Sequence, residues 1–178
     1  MRILCALVCL FVALAGNAAP KVGPATLVTN APTRIELPDQ FESPQTLAFP
    51  TTNLTVLTIA DHKGSEQIAS WVAPVKERYG LRVAIAGIAD MSAVPHWLRG
   101  VVRKKFRQQQ AYPVMLDWAG DSVKAFASVN ECVNVFVLDE RGRILKRFTG
   151  EAKPHALEEL YATIDLALTE KKHPVANK

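Results

Sequence analysis

The chain has 178 residues, 49% of them hydrophobic and 21% charged, and carries a formal net charge of +4. That composition belongs to a packed globule and excludes a disordered chain, and the length suits one domain with a core of its own. A charge this modest also argues against the dense basic surface that nucleic-acid binding requires.

The first residues read as an address. Met1-Arg2 is followed by an almost wholly apolar run from Ile3 to Ala15 and then by the small residues Gly16-Asn17-Ala18-Ala19 before Pro20. This is the pattern of a secretory signal peptide, assigned to residues 1–18, and the run is too short to cross a hydrocarbon layer of about 30 Å. No later segment is apolar for long enough to span a membrane. The expectation is a periplasmic or secreted protein. Cys5 and Cys9 leave with the signal, so Cys132 is the one cysteine of the mature chain. An internal disulfide is then impossible, and a disulfide-linked dimer stays open.

Residues 19–34, rich in Pro, Thr, Ala and Val without periodicity, read as an N-terminal arm. A folded domain is expected over residues 35–170. Gln45 to Phe49 is a short strand candidate, and Leu54 to Ala60 is a β-rich run of the kind buried on both faces. Ser65 is the expected N-cap of a helix reaching Tyr79, with Ile68, Trp71, Val72, Val75 and Tyr79 on one stripe. Pro74 inside it is expected to cause a kink. Leu81 to Ile88 is the next strand. Val94 to Gln109 follows as a helix, with Trp97 and Val101 among its inward residues and Arg99, Arg103, Lys104 and Arg107 outward.

Val114 to Leu116 reads as a strand ending at Asp117, and Asp121 to Ala127 as two helical turns. Trp118, in a loop, is the tryptophan expected to be exposed. Val133 to Leu138, the turn Asp139-Glu140-Arg141-Gly142 and Arg143 to Phe148 make a hairpin. A last helix opens near Pro154, with Leu157, Leu160, Tyr161, Ile164 and Leu168 as its stripe. Residues 171–178 are a polar tail. Strands separated by helices, then a hairpin, predict an α/β fold with a central mixed sheet flanked by helices.

The segment from Val135 to Ile144, VFVLDERGRI, resembles the late hairpin of thioredoxin-like proteins, closest to the peroxiredoxin and thiol-disulfide-reductase branch and to exported proteins of the YtfJ type. The order of elements agrees over most of the mature chain. The resemblance implies a thioredoxin-like fold whose active site lies where the Leu54–Ala60 strand meets the next helix. Relatives carry C-x-x-C or a peroxidatic cysteine there. This chain has Asp61-His62-Lys63-Gly64-Ser65-Glu66, and the family positions fall on Lys63, or on Glu66 and Ala69 in a second register, none of them a sulfur. Dithiol exchange needs a thiolate nucleophile. The family's cis-proline position is held by Asn134, where a trans bond is expected because a non-proline cis bond costs about 2.5–4 kcal/mol.

Two functional readings follow. In one, the protein is a binding or accessory module for a protein or peptide partner, without dithiol redox chemistry. In the other, Cys132 serves as a single-thiol oxidoreductase or peroxidase, activated by His62 or Lys63 across the fold; whether the protein is an enzyme stays open between them. Asp61, His62, Asp90, His96 and Asp117 lie near strand ends, yet no metal-ligand spacing links them, and aspartate favours turns there in any case. Neither a metal nor a cofactor is expected. The basic cluster Arg99, Arg103, Lys104, Lys105 and Arg107 fits the solvated side of its helix.

Overall fold

The computed structural model describes residues 29–172. The expected signal peptide, most of the arm and most of the tail lie outside them. Among the described residues no helix is long and apolar enough to cross a membrane.

A five-stranded mixed sheet is built from β3 (Thr55–Ala60), β4 (Ala84–Asp90), β5 (Met115–Asp117), β6 (Asn134–Leu138) and β7 (Ile144–Thr149). Its strands lie in the order β5-β4-β3-β6-β7. β3 pairs in parallel with β4, and β4 with β5; β6 lies antiparallel to both β3 and β7. β3 and β6 are buried along their whole length, as central strands covered on both faces must be. Alternation along each strand then feeds two cores. Val56, Val135 and Val137 point toward α2 (Ile68–Tyr79) and α5 (Pro154–Lys172), meeting Trp71, Val75, Leu160 and Ile164. Leu57, Phe136 and Leu138 point the other way, toward Phe126 after α4 (Asp121–Ala125) and toward Ile35 and Leu47. α3 (Arg99–Gln109) closes the β5 side, laying Val102 and Phe106 against Leu116 and Met91.

Ile35 and Leu47 belong to a hairpin of β1 (Arg34–Pro38) and β2 (Pro44–Ala48). Only its second strand is legible in the sequence, because Arg-Ile-Glu-Leu-Pro has one buried side chain and looks like loop. Upstream, Ala31 N–H donates to the Gly142 carbonyl and Asn30 bridges Arg143, so the end of the arm is pinned to the late turn.

Several expectations are corrected. The helix expected from Ser65 is two: α1 (His62–Ser65) is capped by Asp61, and α2 begins at Ile68. The sequence reading missed this because Asp61 looks like a strand-ending turn residue. Pro74 lies inside α2, as expected. The helix expected from Val94 begins as a single 3-10 turn, His96–Leu98, and turns α-helical at Arg99. This moves Trp97 and Val101 outward, to 78% and 64% exposure. Arg99 and Arg103 instead turn inward over the half-buried Trp118, 5.1 and 5.7 Å from its ring. Trp97, not Trp118, is the exposed tryptophan.

The hairpin turn is organised by Asp139, which accepts from the backbone N–H of Arg141 and Arg143 and from Arg143 Nε at 2.6 Å. Gly142 sits at φ +83°, and a Cβ there would lie 2.9 Å from the Phe49 ring, so both backbone and space demand glycine. Burial by itself would raise the Asp139 carboxyl, but the Arg143 guanidinium and the two N–H groups outweigh it and hold the group below its ordinary value. A carboxylate depressed on folding stabilises fully above its unfolded value near 3.9, and that contribution is lost as pH falls through the lower folded value. Asp139→Asn should therefore lower stability at pH 7 by about 1.5–3 kcal/mol, the scale of hydrogen bonds to a charged group. It should also flatten the decline of the urea midpoint below about pH 4; an unchanged acid limb would deny the turn this role.

Candidate functional site

The carboxyl end of β3 and the start of α1 face the loop that enters β6. Asp61 joins them. Its backbone is extended, Oδ1 accepts from Gly64 N–H at 2.8 Å to cap α1, and Oδ2 accepts from Glu131 N–H at 2.7 Å. Lys63 reaches across to Glu131 Oε1 at 2.6 Å. Gln67 accepts from Val133 N–H at 3.2 Å, and the Val133 carbonyl accepts from Gly150 N–H at 2.9 Å. Between these bonds Gly64 lies flat on the Cys132–Val133 peptide. A Cβ on Gly64 would stand 2.4 Å from the Cys132 carbonyl carbon and oxygen and 2.7 Å from Val133 N. Real Cβ atoms are not found that close to backbone, so only glycine permits the approach.

The loop is held from its other side by Asn134, which is 1% exposed. Its Oδ1 accepts from Val129 N–H at 2.8 Å, and its Nδ2 donates to the Val129 carbonyl at 2.8 Å. Arg147 donates to the Phe126 carbonyl and packs 4.7 Å over the Phe136 ring. These ties keep Ala127 and Glu131 at φ +46° and +63°, a conformation that favours glycine. Among the described residues the cis peptide bond is Phe49–Pro50, and the bond into Asn134 is trans.

Cys132 is half-buried, and its Sγ makes a long 3.5 Å contact with the Val129 carbonyl. Burial pushes the thiol up from its ordinary value, Asp61 adds to that, and a backbone hydrogen bond from Gly150 only partly offsets them. Of the two side chains expected to activate it, His62 and Lys63, the lysine is engaged elsewhere. Lys63 is bound to Glu131, which raises its own pKa, and the nearby charge felt by the thiol is the carboxylate of Asp61. His62, Glu66 and Ala69 are exposed to solvent.

The other strand-end aspartates bind backbone. Asp117, fully buried, accepts from the N–H groups of Ala119, Gly120, Asp121 and Ser122 and so starts α4. Asp90 accepts from Ser92 N–H, and His96 is exposed. Among the described residues no group of three His, Cys, Asp or Glu is placed to hold a metal ion. The cleft between Asp61, Asp90, Val129 and Asn134 measures about 10 Å³, room for one water at most. A larger surface depression, about 350 Å³, lies beside Trp71, Phe148 and Gly150.

A scan against protein-family models and a search of curated proteins give no match. Solved structures do match. A protein described as the thiol:disulfide interchange protein DsbE of Chlorobium tepidum is 19% identical, with a TM-score of 0.61 over 79% of this chain and 96% of its own. The pneumococcal exposed lipoprotein thioredoxin Etrx1 of Streptococcus pneumoniae is 13% identical, with a TM-score of 0.58 over 72% and 98%. The peroxidoxin BcpB of Mycobacterium tuberculosis is 18% identical, with a TM-score of 0.52 over 78% and 97%. The chain thus has the thioredoxin-like fold, and these three neighbours are described as a thiol:disulfide interchange protein, a thioredoxin and a peroxidoxin. At these identities the likeness establishes the fold, and the chemistry has to be argued from this chain's own residues.

Gly64→Ala separates the two forces acting on the joint. Helix propensity alone favours alanine by about 1 kcal/mol, whereas the backbone clash should cost about 1–3 kcal/mol or more. The expected result is a lower urea midpoint; a raised midpoint would mean that α1 and the Cys132–Val133 peptide do not touch.

Proposed function

We propose that this protein is an exported thioredoxin-fold module that binds a protein or peptide partner and carries out no dithiol or single-thiol redox chemistry. The observation that carries the reading is the contact of Gly64 with the Cys132–Val133 peptide. The resemblance to thioredoxin-like proteins implies a reactive sulfur at this corner; here it is filled by backbone, and Asp61 and Gln67 occupy the N–H groups around it. Both backbone groups of Val133 are already bonded, so a peptide has no free strand edge to add to at that point. A partner must use another surface, and the depression beside Trp71 and Phe148, rimmed by Thr149, Glu151 and Lys153, offers apolar floor and polar edge together. Export rests on the signal-like pattern of residues 1–18.

The single-thiol alternative requires a thiolate near neutral pH, which a cation or helix N-terminus normally supplies. Cys132 has the opposite surroundings, burial and a carboxylate. Its alkylation rate should accordingly titrate above the free-thiol value of about 8.5. Insulin-disulfide reduction and peroxide consumption should match between wild type and Cys132→Ser, both at buffer background. A rate that titrates below 7, with turnover lost in Cys132→Ser, would overturn the reading and make the protein a thiol enzyme.

A further inference from the structure

The outward face of α3 and of the turn that precedes it joins exposed apolar side chains to lysines unpaired among the described residues. Val101, Lys104, Lys105 and Gln108 follow one another at helical spacing along α3, Trp97 stands in the 3-10 turn just before it, and all five are exposed, Trp97 at 78% and Val101 at 64%. The helix carries Arg99, Arg103, Lys104, Lys105 and Arg107 and no acidic residue. Its arginines are engaged with the body of the protein: Arg99 and Arg103 lie over Trp118, Arg103 pairs with Glu42, and Arg107 donates to the Gln40 carbonyl at 2.6 Å. Lys104 and Lys105 make no ion pair among the described residues. The arginines thus fasten the helix down while an indole, a valine and two free ammonium groups are turned to solvent.

We propose that this face docks on the surface of an anionic lipid bilayer. Tryptophan settles at the headgroup level, where its ring is half in hydrocarbon and its N–H stays wet. Flexible lysines flanking it reach the lipid phosphates while their stems cover apolar surface. The free charges also discriminate between partner classes. Protein interfaces enrich arginine, whose planar fork pairs with carboxylates, and deplete lysine; here the forks are spent internally and the lysines are free. The face is a convex helix surface, suited to a broad charged plane.

The test is co-sedimentation of the full chain with vesicles of equal phosphatidylglycerol and phosphatidylcholine against phosphatidylcholine alone, at low and high salt. An apolar stretch such as residues 3–15 partitions into both kinds of vesicle, so the readout is the difference between them. Binding to anionic vesicles should exceed that to neutral ones, fall with salt, and shift tryptophan emission to the blue. Lys104→Glu with Lys105→Glu should weaken anionic binding by at least about 25-fold, since each basic residue near such a surface contributes on the order of fivefold. Trp97→Ser should remove the blue shift. All three residues are exposed, so the unfolding midpoints should not move. Equal binding to both vesicles, or anionic binding unchanged in the lysine variant, would overturn the proposal. So would binding to polyglutamate that the lysine variant abolishes, without any preference for anionic vesicles, which would assign the face to an acidic protein.

Discussion

The contact between Gly64 and the Cys132–Val133 peptide is the constraint on which the rest of this end of the molecule depends. It brings α1 within backbone distance of the loop into β6, and at that separation no side chain fits between them. Asp61 can then serve two masters, capping α1 with one oxygen and holding Glu131 N–H with the other. The same approach lets Gln67 reach Val133 and lets Val133 reach Gly150, so three segments far apart in sequence share one hydrogen-bonded joint. A thiol site needs a cation or helix N-terminus to hold a thiolate; in this joint Lys63 is paired with Glu131, and burial and Asp61 push the Cys132 thiol up.

The sheet beneath sets the geometry of that joint. Ile59 of β3 faces Asn134 of β6 in register, so the two strand ends deliver Asp61 and the 127–133 loop side by side. Asn134 then bonds back into its own loop through both the oxygen and the nitrogen of its side-chain amide. The left-handed backbone at Ala127 and Glu131 is tolerated because both ends of the loop are fixed, by Arg147 at one side and Asp61 at the other. Conformational strain, capping and backbone satisfaction are solved together by a handful of polar side chains.

Much of this was legible in the sequence, and what was not has physical reasons. Continuous apolar runs such as TVLTIA and NVFVL announce buried central strands, and the DERG turn announces the hairpin, because burial and turn chemistry are local signals. The fold class follows from their order. Asp61 as a helix cap was hidden because the four-residue α1 is too short to show periodicity. Trp97 looked like core because its spacing to Leu98 and Val101 assumes an α-helix, whereas a 3-10 turn changes the angle between them. β1 escaped because its only buried residue, Ile35, pairs with Leu47 of β2 and joins a core built from distant strands, and such long-range packing leaves no local trace. The absence of sulfur at the family positions was plain from the residues; that Gly64 fills the corner with backbone required the fold.

The central claim is that this corner is a permanent structural joint, with no open state in which it could serve as a reactive site. Native-state hydrogen exchange of the Gly64, Glu131 and Val133 amides tests it most directly. Those amides should exchange only through global unfolding, with the same opening free energy as the core amides of Val56 and Phe136. Exchange several orders of magnitude faster, at the rate of a surface loop, would mean that the joint opens on its own and would contradict the account.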